Sequence, residues 1–275
     1  MPLPISSASW RGLAVALTCF VLVACAPAMR QDKQSGSIAW FDLATDAPGA
    51  AERFYGDLFG WRFANGLVED TRVISSGNEF IGGLVAVPGN ETRVKSSWEP
   101  ILSVDDTMTA LQTAKGNGGR LTAQPVQTGN GTYAAIEDSR RASLTLYDGT
   151  DGVPLGGAAK FNTWIWADLF TDNTASAKHF YKALAGLDTW REISGSESFT
   201  VFTRNGQPRG GLVYAPPSQV EPNWLPYVLV ADIDATIARA RDLGGSVLAR
   251  EAGTAILLDP MGAAIGVTTR EGGAQ

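Results

Sequence analysis

The chain has 275 residues, of which 44% are hydrophobic and 18% are charged, and its formal net charge is −6. This length and apolar content are sufficient for two domains with full hydrophobic cores. An acidic chain without a Lys/Arg cluster is poorly suited to nucleic acid, because neutralising phosphates requires a concentrated basic surface. We therefore expect no nucleic-acid partner.

The N-terminal residues have the pattern of an export signal. Arg11 precedes the apolar run GLAVALTCFVLVA, which is short for a membrane span, and Cys25 follows directly. The letters LVAC resemble the lipobox of bacterial lipoproteins, in which the cysteine is linked to diacylglycerol and becomes the first residue of the mature protein. The resemblance implies a signal peptide over residues 1–24, lipidation of Cys25 and a tether over residues 25–37. A plain signal peptide or an uncleaved anchor is the alternative.

The cysteine count agrees with lipidation. Cys19 and Cys25 are the only cysteines, and cleavage before Cys25 removes the other one, so no thiol remains for a disulfide, a zinc cluster or a nucleophile. Cleavage also removes Arg11, which leaves 21 basic against 28 acidic residues and a net charge of −7. Such a surface is not drawn to anionic headgroups, so the lipid alone would hold the protein at the membrane. Ala26 is not Asp, and in the lipoprotein resemblance this implies the periplasmic face of the outer membrane.

An internal repeat organises the rest of the chain. The stretch FYGDLFGW at residues 54–61 returns as FYKALAGL at residues 180–187, an offset of 126 residues. The same offset relates four pairs: Trp40 and Trp166, Tyr55 and Tyr181, Trp98 and Trp224, and Gly118-Gly119 and Gly244-Gly245. The repeat predicts two homologous domains, over residues 38–150 and 162–272, joined by a Gly-rich linker over residues 151–161.

Each repeat begins with a strand and a helix. SIAWFDLA alternates as a strand does, and PGAAERFYGDLF follows as a helix with Pro48 in its first turn. The helix places four apolar side chains at helical spacing: Phe54, Tyr55, Leu58 and Phe59. TRVISS and EFIGGLVAVP come next as short strands.

The second half of each repeat has the same order of elements. EPILSV predicts a strand, and DDTMTALQTAKGNGG predicts a helix that is capped by aspartates, has Met108, Leu111 and Lys115 at helical spacing, and ends at glycines. TYAAIED and SLTLYDG predict a closing hairpin. In the second domain the clearest helix is DIDATIARARDLGG, with Ile233, Ile237 and Ala240 on one face.

Four βαβββ units in two domains, with FYGDLFGW after the first strand, resemble the vicinal oxygen chelate superfamily, which includes glyoxalases, bleomycin resistance proteins and extradiol dioxygenases. The closest subgroup is the tandem, glyoxalase-like branch, and the resemblance covers about residues 38–270. It implies an α+β fold in which each domain pairs two βαβββ units into a cup-shaped mixed sheet with helices outside. The cup would hold the ligand. Fold alone does not decide function.

Superfamily members that do chemistry hold a divalent metal in the cup through His and Glu side chains. The resemblance places those positions at Trp40 and Trp166, near Glu99 and Leu225, at Thr145 and Gly266, and within GGLVAVP and GGLVYAP. Only Glu99 could coordinate, and one carboxylate does not make a transition-metal site. The sole histidine, His179, aligns with Arg53, which predicts a surface position. We expect neither a metal nor a cofactor.

The first strands suggest what the cups could bind instead. Period two places Ile38, Trp40 and Asp42 on one face, and Trp164, Trp166 and Asp168 on the corresponding face of domain two. If that face points into the cup, an indole beside a carboxylate suits a planar or cationic organic ligand. The candidate ligand-binding residues are Trp40, Asp42, Glu99, Thr145, Trp166 and Asp168. Alternatively, the tryptophans fill the cups as core and the aspartates bind backbone groups.

Three functions remain open from the sequence. The favoured one is a lipid-anchored, metal-free protein that binds a small aromatic or cationic molecule, as a monomer with paired domains or as a homodimer. The second is a lyase, isomerase or dioxygenase of the superfamily with an unorthodox metal site near Glu99, or with Asp42 and Glu99 as an acid/base pair. The third is a structural or interaction module with closed cups. A single histidine and the absence of a GxSxG motif disfavour a serine hydrolase.

Overall fold

The computed structural model describes residues 35–66, 68–87, 96–149, 159–194, 197–216, 218 and 220–270. The predicted signal peptide, the lipidation site Cys25 and most of the predicted linker lie outside these residues. Within the described ranges no helix is long and apolar enough to cross a membrane.

Each domain follows the predicted order of strands and helices. The elements of domain one are β1 (Ile38–Thr45), α1 (Pro48–Phe59), β2 (Arg62–Asn65), β3 (Thr71–Ser76), β4 (Glu79–Ala86), β5 (Ser97–Ser103), α2 (Thr107–Gly116), β6 (Arg120–Leu121), β7 (Val126–Gln127), β8 (Thr132–Glu137) and β9 (Ser143–Tyr147). Those of domain two are β10 (Trp164–Thr171), α3 (Thr174–Ala185), β11 (Asp188–Ser194), β12 (Glu197–Arg204), β13 (Gln207–Tyr214), β14 (Asn223–Leu229), α4 (Ile233–Asp242), β15 (Ser246–Glu251), β16 (Thr254–Leu258) and β17 (Ala264–Thr268).

Each domain contains one mixed sheet. In domain one the order is β2-β3-β4-β1-β5-β9-β8-β6, with β7 on β8, and in domain two it is β11-β12-β13-β10-β14-β17-β16-β15. The first strands of the two βαβββ units pair antiparallel at the centre, while β1 is parallel to β4 and β5 is parallel to β9. The predicted α+β class with two mixed sheets is therefore confirmed.

The first helix has the predicted ends and the predicted buried face. Pro48 occupies its first turn, and Gly60 ends it in the left-handed region at φ 72°. Phe54, Tyr55 and Phe59 are buried, and Leu58 is half-buried against the same core.

The helix of the second unit differs from the prediction in one respect. Asp106 caps α2 as expected, since its carboxylate accepts from the backbone N–H of Thr109 at 2.7 Å. Met108, however, is 47% exposed. The buried face instead carries small side chains such as Ala110 and Ala114, because α2 packs closely on α3 of the other domain. On the predicted face of α4, Ile237 and Ala240 are buried and Ile233 is half-buried against the core.

A buried hydrogen-bond chain joins the two domains and accounts for one member of the repeat. Tyr55 donates its hydroxyl to Asp259 Oδ2 at 2.8 Å and accepts from Trp98 Nε1 at 2.9 Å. The carboxylate of Asp259 also accepts hydrogen bonds from the backbone N–H groups of Met261 and Ala263, and so stabilises the turn in which it lies. A tyrosine on α1 thus fixes the last hairpin of domain two.

The second copy repeats this arrangement in the opposite direction. Tyr181 donates to Asp138 Oδ2 at 3.1 Å and accepts from Trp224 Nε1 at 2.9 Å. Burial is the main reason that the pKa values of Tyr181 and Asp138 are both raised. The repeated FY motif is therefore a structural link between domains, because each copy reaches the other domain.

The repeated glycine pairs serve the same contact. A Cβ on Gly119 would lie 2.9 Å from a ring carbon of Phe180, and one on Gly245 would lie 3.1 Å from a ring carbon of Phe54. Each glycine therefore lets an aromatic ring from the other domain approach the backbone. Helix α2 of one domain consequently packs on α3 of the other, and α1 packs on α4.

The central strands contain a β-bulge that changes the predicted faces. The register shifts between Ile38 and Trp40 on β1, and between Trp164 and Trp166 on β10. Ile38 and Trp164 therefore pack in the core on the helix side, and Trp164 donates Nε1 to the carbonyl of Ile81 at 2.6 Å. Trp40 and Trp166 lie on the face turned away from the helices. The prediction of one shared face was wrong for Ile38 and Trp164.

Candidate functional site

The face of each sheet that is turned away from the helices is the cup face, and in domain one it gathers four predicted residues. Asp42 on β1 is the direct partner of Glu99 on β5, and Trp40 is the partner of Ile101. Ile101 is in turn the partner of Thr145 on β9. Residues directly opposite each other lie on one face of a sheet, so Trp40, Asp42, Glu99 and Thr145 form one group.

Asp42 is the electrostatic centre of this group. Its Oδ1 accepts from Trp40 Nε1 at 3.0 Å, and Gly83 provides a backbone hydrogen bond. Burial raises the pKa of Asp42 to about 7, the two hydrogen bonds oppose that rise, and the negative charge of Glu99 adds to it. Glu99 is 9% exposed, whereas Asp42 is only half-buried. A carboxylate that changes charge near neutral pH therefore lies at an accessible point of the cup.

Aromatic side chains cover the other end of the group. Trp40 is 3% exposed and meets Phe80 and Tyr147 edge-on, with ring centroids 5.3 and 5.2 Å apart. Tyr133 stacks on Tyr147 at 4.3 Å. The indole therefore belongs to the packing of the cup, and its N–H is used by Asp42. Trp40 reaches a ligand only through that carboxylate, not as an open stacking surface.

Domain two has the same indole–carboxylate pair in a closed setting. Trp166 Nε1 donates to Asp168 Oδ1 at 2.8 Å, and the hydroxyl of Tyr227 also hydrogen-bonds to this carboxylate. Asp168 is 7% exposed, and burial raises its pKa to about 6. The direct partner of Asp168 is Leu225, so no second carboxylate faces it. Trp166 and Asp168 thus lie together, but in a separate cup from the residues of domain one.

Tyr227 closes this cup and was missed by the sequence analysis. A Cβ on Gly266 would lie 2.2 Å from the ring of Tyr227, so the ring occupies the place of a side chain there. A Cβ on Gly211 would lie 2.0 Å from Asp168 Oδ1, so the carboxylate fills that space too. The sequence did contain a signal for this closure. At the offset of 126, Tyr227 aligns with Ile101, and its strand partner is Gly266, whereas the partner of Ile101 is Thr145.

Two curated relatives match most of this chain, although no protein-family model matches it. A Mycobacterium tuberculosis protein named "Putative glyoxylase CFP32" is 29% identical over 251 residues, covering 86% of this chain and 96% of that protein. "Anthracycline biosynthesis protein DnrV" of Streptomyces peucetius is 28% identical over 267 residues, covering 86% and 94%. The similarity therefore runs through both domains.

Solved structures show the same fold at low sequence identity. The Mn(II)-bound glyoxalase from Novosphingobium aromaticivorans matches with a TM-score of 0.59 and 12% identity, over 85% of this chain and 82% of its own. The 2,3-dioxygenase LapB from Pseudomonas sp. KL28 matches with a TM-score of 0.60 and 11% identity, over 84% and 91%. This chain therefore has the fold of these glyoxalase and dioxygenase structures, and its sequence is similar to that of a glyoxylase-named relative through both domains.

The positions at which the vicinal oxygen chelate superfamily holds its metal do not carry a suitable donor set here. By the resemblance, they fall on Trp40, near Glu99, on Thr145 and within GGLVAVP in domain one, and on Trp166, near Leu225, on Gly266 and within GGLVYAP in domain two. An indole N–H is a donor only and cannot coordinate. Asp42 adds a second carboxylate beside Glu99, yet a zinc site uses at least three protein ligands. Among the described residues no three His, Cys, Asp or Glu side chains are grouped to hold a metal, and His179 is exposed.

Proposed function

We propose that this protein is a member of the vicinal oxygen chelate superfamily that binds a small organic molecule in the cup of domain one without a metal. The observation that supports the proposal is the pair Asp42 and Glu99, which adjoin each other on the cup face beside Trp40 and Thr145. The half-buried Asp42 is the point of this pair that a ligand can reach.

The carboxylates favour a ligand that carries a hydrogen-bond donor or a positive charge. A charged acceptor that is partly desolvated gains more from such a donor than an exposed acceptor does. One relative is named for the biosynthesis of anthracyclines, which are planar aromatic compounds, and that name supports an aromatic ligand for this chain. The ligand we propose is therefore aromatic or cationic.

A second candidate function is acid/base catalysis by the same two residues. Burial raises the pKa of Asp42 to about 7, where a general acid or base is most effective, and Glu99 lies directly opposite. One relative is named as a glyoxylase. Conversion of a bound compound by the purified protein, and its loss in Asp42→Asn, would favour this second function over binding alone.

We also propose that the protein is exported and anchored through a lipid on Cys25, at the periplasmic face of the outer membrane. The lipobox-like sequence before Cys25 supports this. The links from Tyr55 and Tyr181 pair the two domains within one chain, which favours a monomer over a homodimer. Mass spectrometry of the N-terminal peptide tests the anchor. The wild type should begin at a diacylglycerol-modified Cys25, whereas a Cys25→Ser variant should keep its signal peptide and carry no diacylglycerol.

The experiment that tests the proposed function combines metal analysis with a ligand screen. The purified protein is exposed to Mn, Fe, Ni and Zn, dialysed exhaustively and measured by elemental analysis, and near-stoichiometric metal would contradict the proposal. A library of aromatic and cationic compounds is then screened by thermal shift against the wild type and Asp42→Asn. Asp168→Asn serves as the matched control from the closed cup. We expect compounds that stabilise the wild type and the control but have lost their effect on Asp42→Asn.

A further inference from the structure

The closed cup of domain two contains an aromatic hydroxyl bound to its carboxylate. Tyr227 donates its hydroxyl to Asp168, and its ring lies over Gly266, where any side chain would collide with it. Trp166 donates to the same carboxylate at 2.8 Å. Asp168 is thus buried and accepts hydrogen bonds from two aromatic side chains.

Domain one has the same carboxylate without this donor. The residue that corresponds to Tyr227 is Ile101, which cannot donate a hydrogen bond. Trp40 donates to Asp42 just as Trp166 donates to Asp168. Asp42 nevertheless stays half-buried. Two differences separate the cups at this carboxylate. Domain two supplies the hydroxyl of Tyr227, and domain one has Glu99 where domain two has Leu225.

We infer that the cup of domain two is a binding site filled by the chain's own Tyr227, and that domain one takes the corresponding group, an aromatic hydroxyl donating to Asp42, from an external ligand. The first half depends on the geometry of domain two alone. The second half rests on the proposed function. One chain would then bind one ligand molecule, although its repeat forms two cups.

A ligand in domain one can make the same hydroxyl contact as Tyr227 makes in domain two, but its ring cannot take the same position. Thr145 stands where domain two has Gly266, so its side chain takes part of the space that the ring of Tyr227 fills. The partner of Asp42 on the other side is Gly83, which has no side chain. A ligand ring would therefore approach Asp42 over Gly83 and Glu99, and not over Thr145.

The first test removes the ring of Tyr227 by mutation and replaces it with a small molecule. In Tyr227→Ala, p-cresol should raise the midpoint of thermal unfolding, and toluene, which lacks the hydroxyl, should raise it clearly less. Tyr227→Leu refills the space and should respond to neither compound beyond the wild type. Equal effects of p-cresol and toluene would overturn the role of the hydroxyl, and no effect of either would overturn the site.

A milder variant keeps this test decisive if Tyr227→Ala does not fold. Tyr227→Phe removes only the hydroxyl, so the fold is kept and Asp168 loses one donor. The unfolding midpoint in denaturant should fall measurably at pH 8, where Asp168 is ionised, and fall less at pH 5. An unchanged midpoint at both pH values would show that the hydroxyl contributes nothing to this cup.

The second test addresses domain one with a matched pair of probes. Calorimetry should show that 2-naphthol binds the wild type at least about tenfold more tightly than 2-methoxynaphthalene, as the loss of a hydrogen bond to a charged group implies. Asp42→Asn should reduce this preference, and Asp168→Asn should preserve it. Equal affinity for both probes would refute the hydroxyl contact and leave the proposed function standing. If neither probe binds while p-cresol stabilises Tyr227→Ala, the second half of the inference fails and the first half holds.

Discussion

Ionisation of Asp42 should destabilise the protein between pH 5 and pH 8, and Asp42→Asn should remove that effect. Burial raises the pKa of this carboxyl from its ordinary value of 3.8 to about 7. The folded state therefore binds the proton more tightly than the unfolded state does, so stability is highest while Asp42 is protonated. That stability is lost as the pH rises from about 4 towards 7.

The size of the effect follows from the span of pH that the shift covers. Each unit of pKa difference corresponds to about 1.4 kcal/mol, so the two units between pH 5 and the pKa of Asp42 amount to about 3 kcal/mol. Asp168, whose pKa is about 6, adds about 1 kcal/mol over the same range. The value for Asp42 is an upper bound, because its carboxylate is only half-buried and water screens part of the cost.

The assay is equilibrium unfolding in guanidinium chloride at several pH values, followed by tryptophan fluorescence. Asparagine keeps the acceptor for Trp40 Nε1 and can donate to Glu99, so Asp42→Asn should fold normally. The free energy of unfolding of this variant, relative to the wild type, should increase by up to about 3 kcal/mol from pH 5 to pH 8. Asp168→Asn should show the smaller change. A parallel pH dependence of the wild type and Asp42→Asn would refute the reasoning that Asp42 is buried with a raised pKa.

Three further outcomes are expected. Tyr55→Phe and Tyr181→Phe should each lower the free energy of unfolding by about 2–4 kcal/mol, because each leaves a buried carboxylate and an indole N–H without the hydroxyl; a loss below about 0.5 kcal/mol in denaturant titrations would contradict the interdomain link. Gly266→Ala should lower the free energy of unfolding by about 2 kcal/mol or more, because the added methyl group collides with Tyr227, whereas Thr145→Ala should lower it less. Circular dichroism melts measure both variants, and the reverse order would show that the ring of Tyr227 is mobile. Treatment with EDTA should leave the thermal midpoint unchanged, and a drop on chelation would reveal a structural metal.

The fold could be predicted because its signals are local and repeated. The offset of 126 residues fixed the number of domains, and the spacing of Phe54, Tyr55 and Phe59 fixed a helix whose buried face the structure repeats. The buried face of α2 was harder. Met108 is the larger apolar residue, but the neighbouring helix of the other domain requires small side chains such as Ala110. Periodicity within one helix contains no information about the size that its neighbour demands.

The candidate site was predicted as a set of residues, while its detailed geometry was not. Trp40, Asp42, Glu99 and Thr145 do lie together, yet Ile38 and Trp164 lie on the opposite face. A β-bulge inserts one residue into a strand, and a strict period of two cannot show it. The closure of domain two was invisible for another reason, since it depends on a residue pair from strands about forty residues apart.

The repeat itself indicates where function diverged. The pairs retained at the offset of 126 are, for the most part, residues of the shared core: Tyr55 and Tyr181, Trp98 and Trp224, and Gly119 and Gly245 all contact the other domain or the residues that do. The cup faces point away from this core, so substitutions there leave the interdomain contacts intact. Glu99 against Leu225 and Ile101 against Tyr227 are substitutions of that kind. The Trp-x-Asp pair is nevertheless present in both cups. We therefore regard Asp42 and Asp168 as the hydrogen-bond acceptors of the two cups, for an external ligand in domain one and for Tyr227 in domain two.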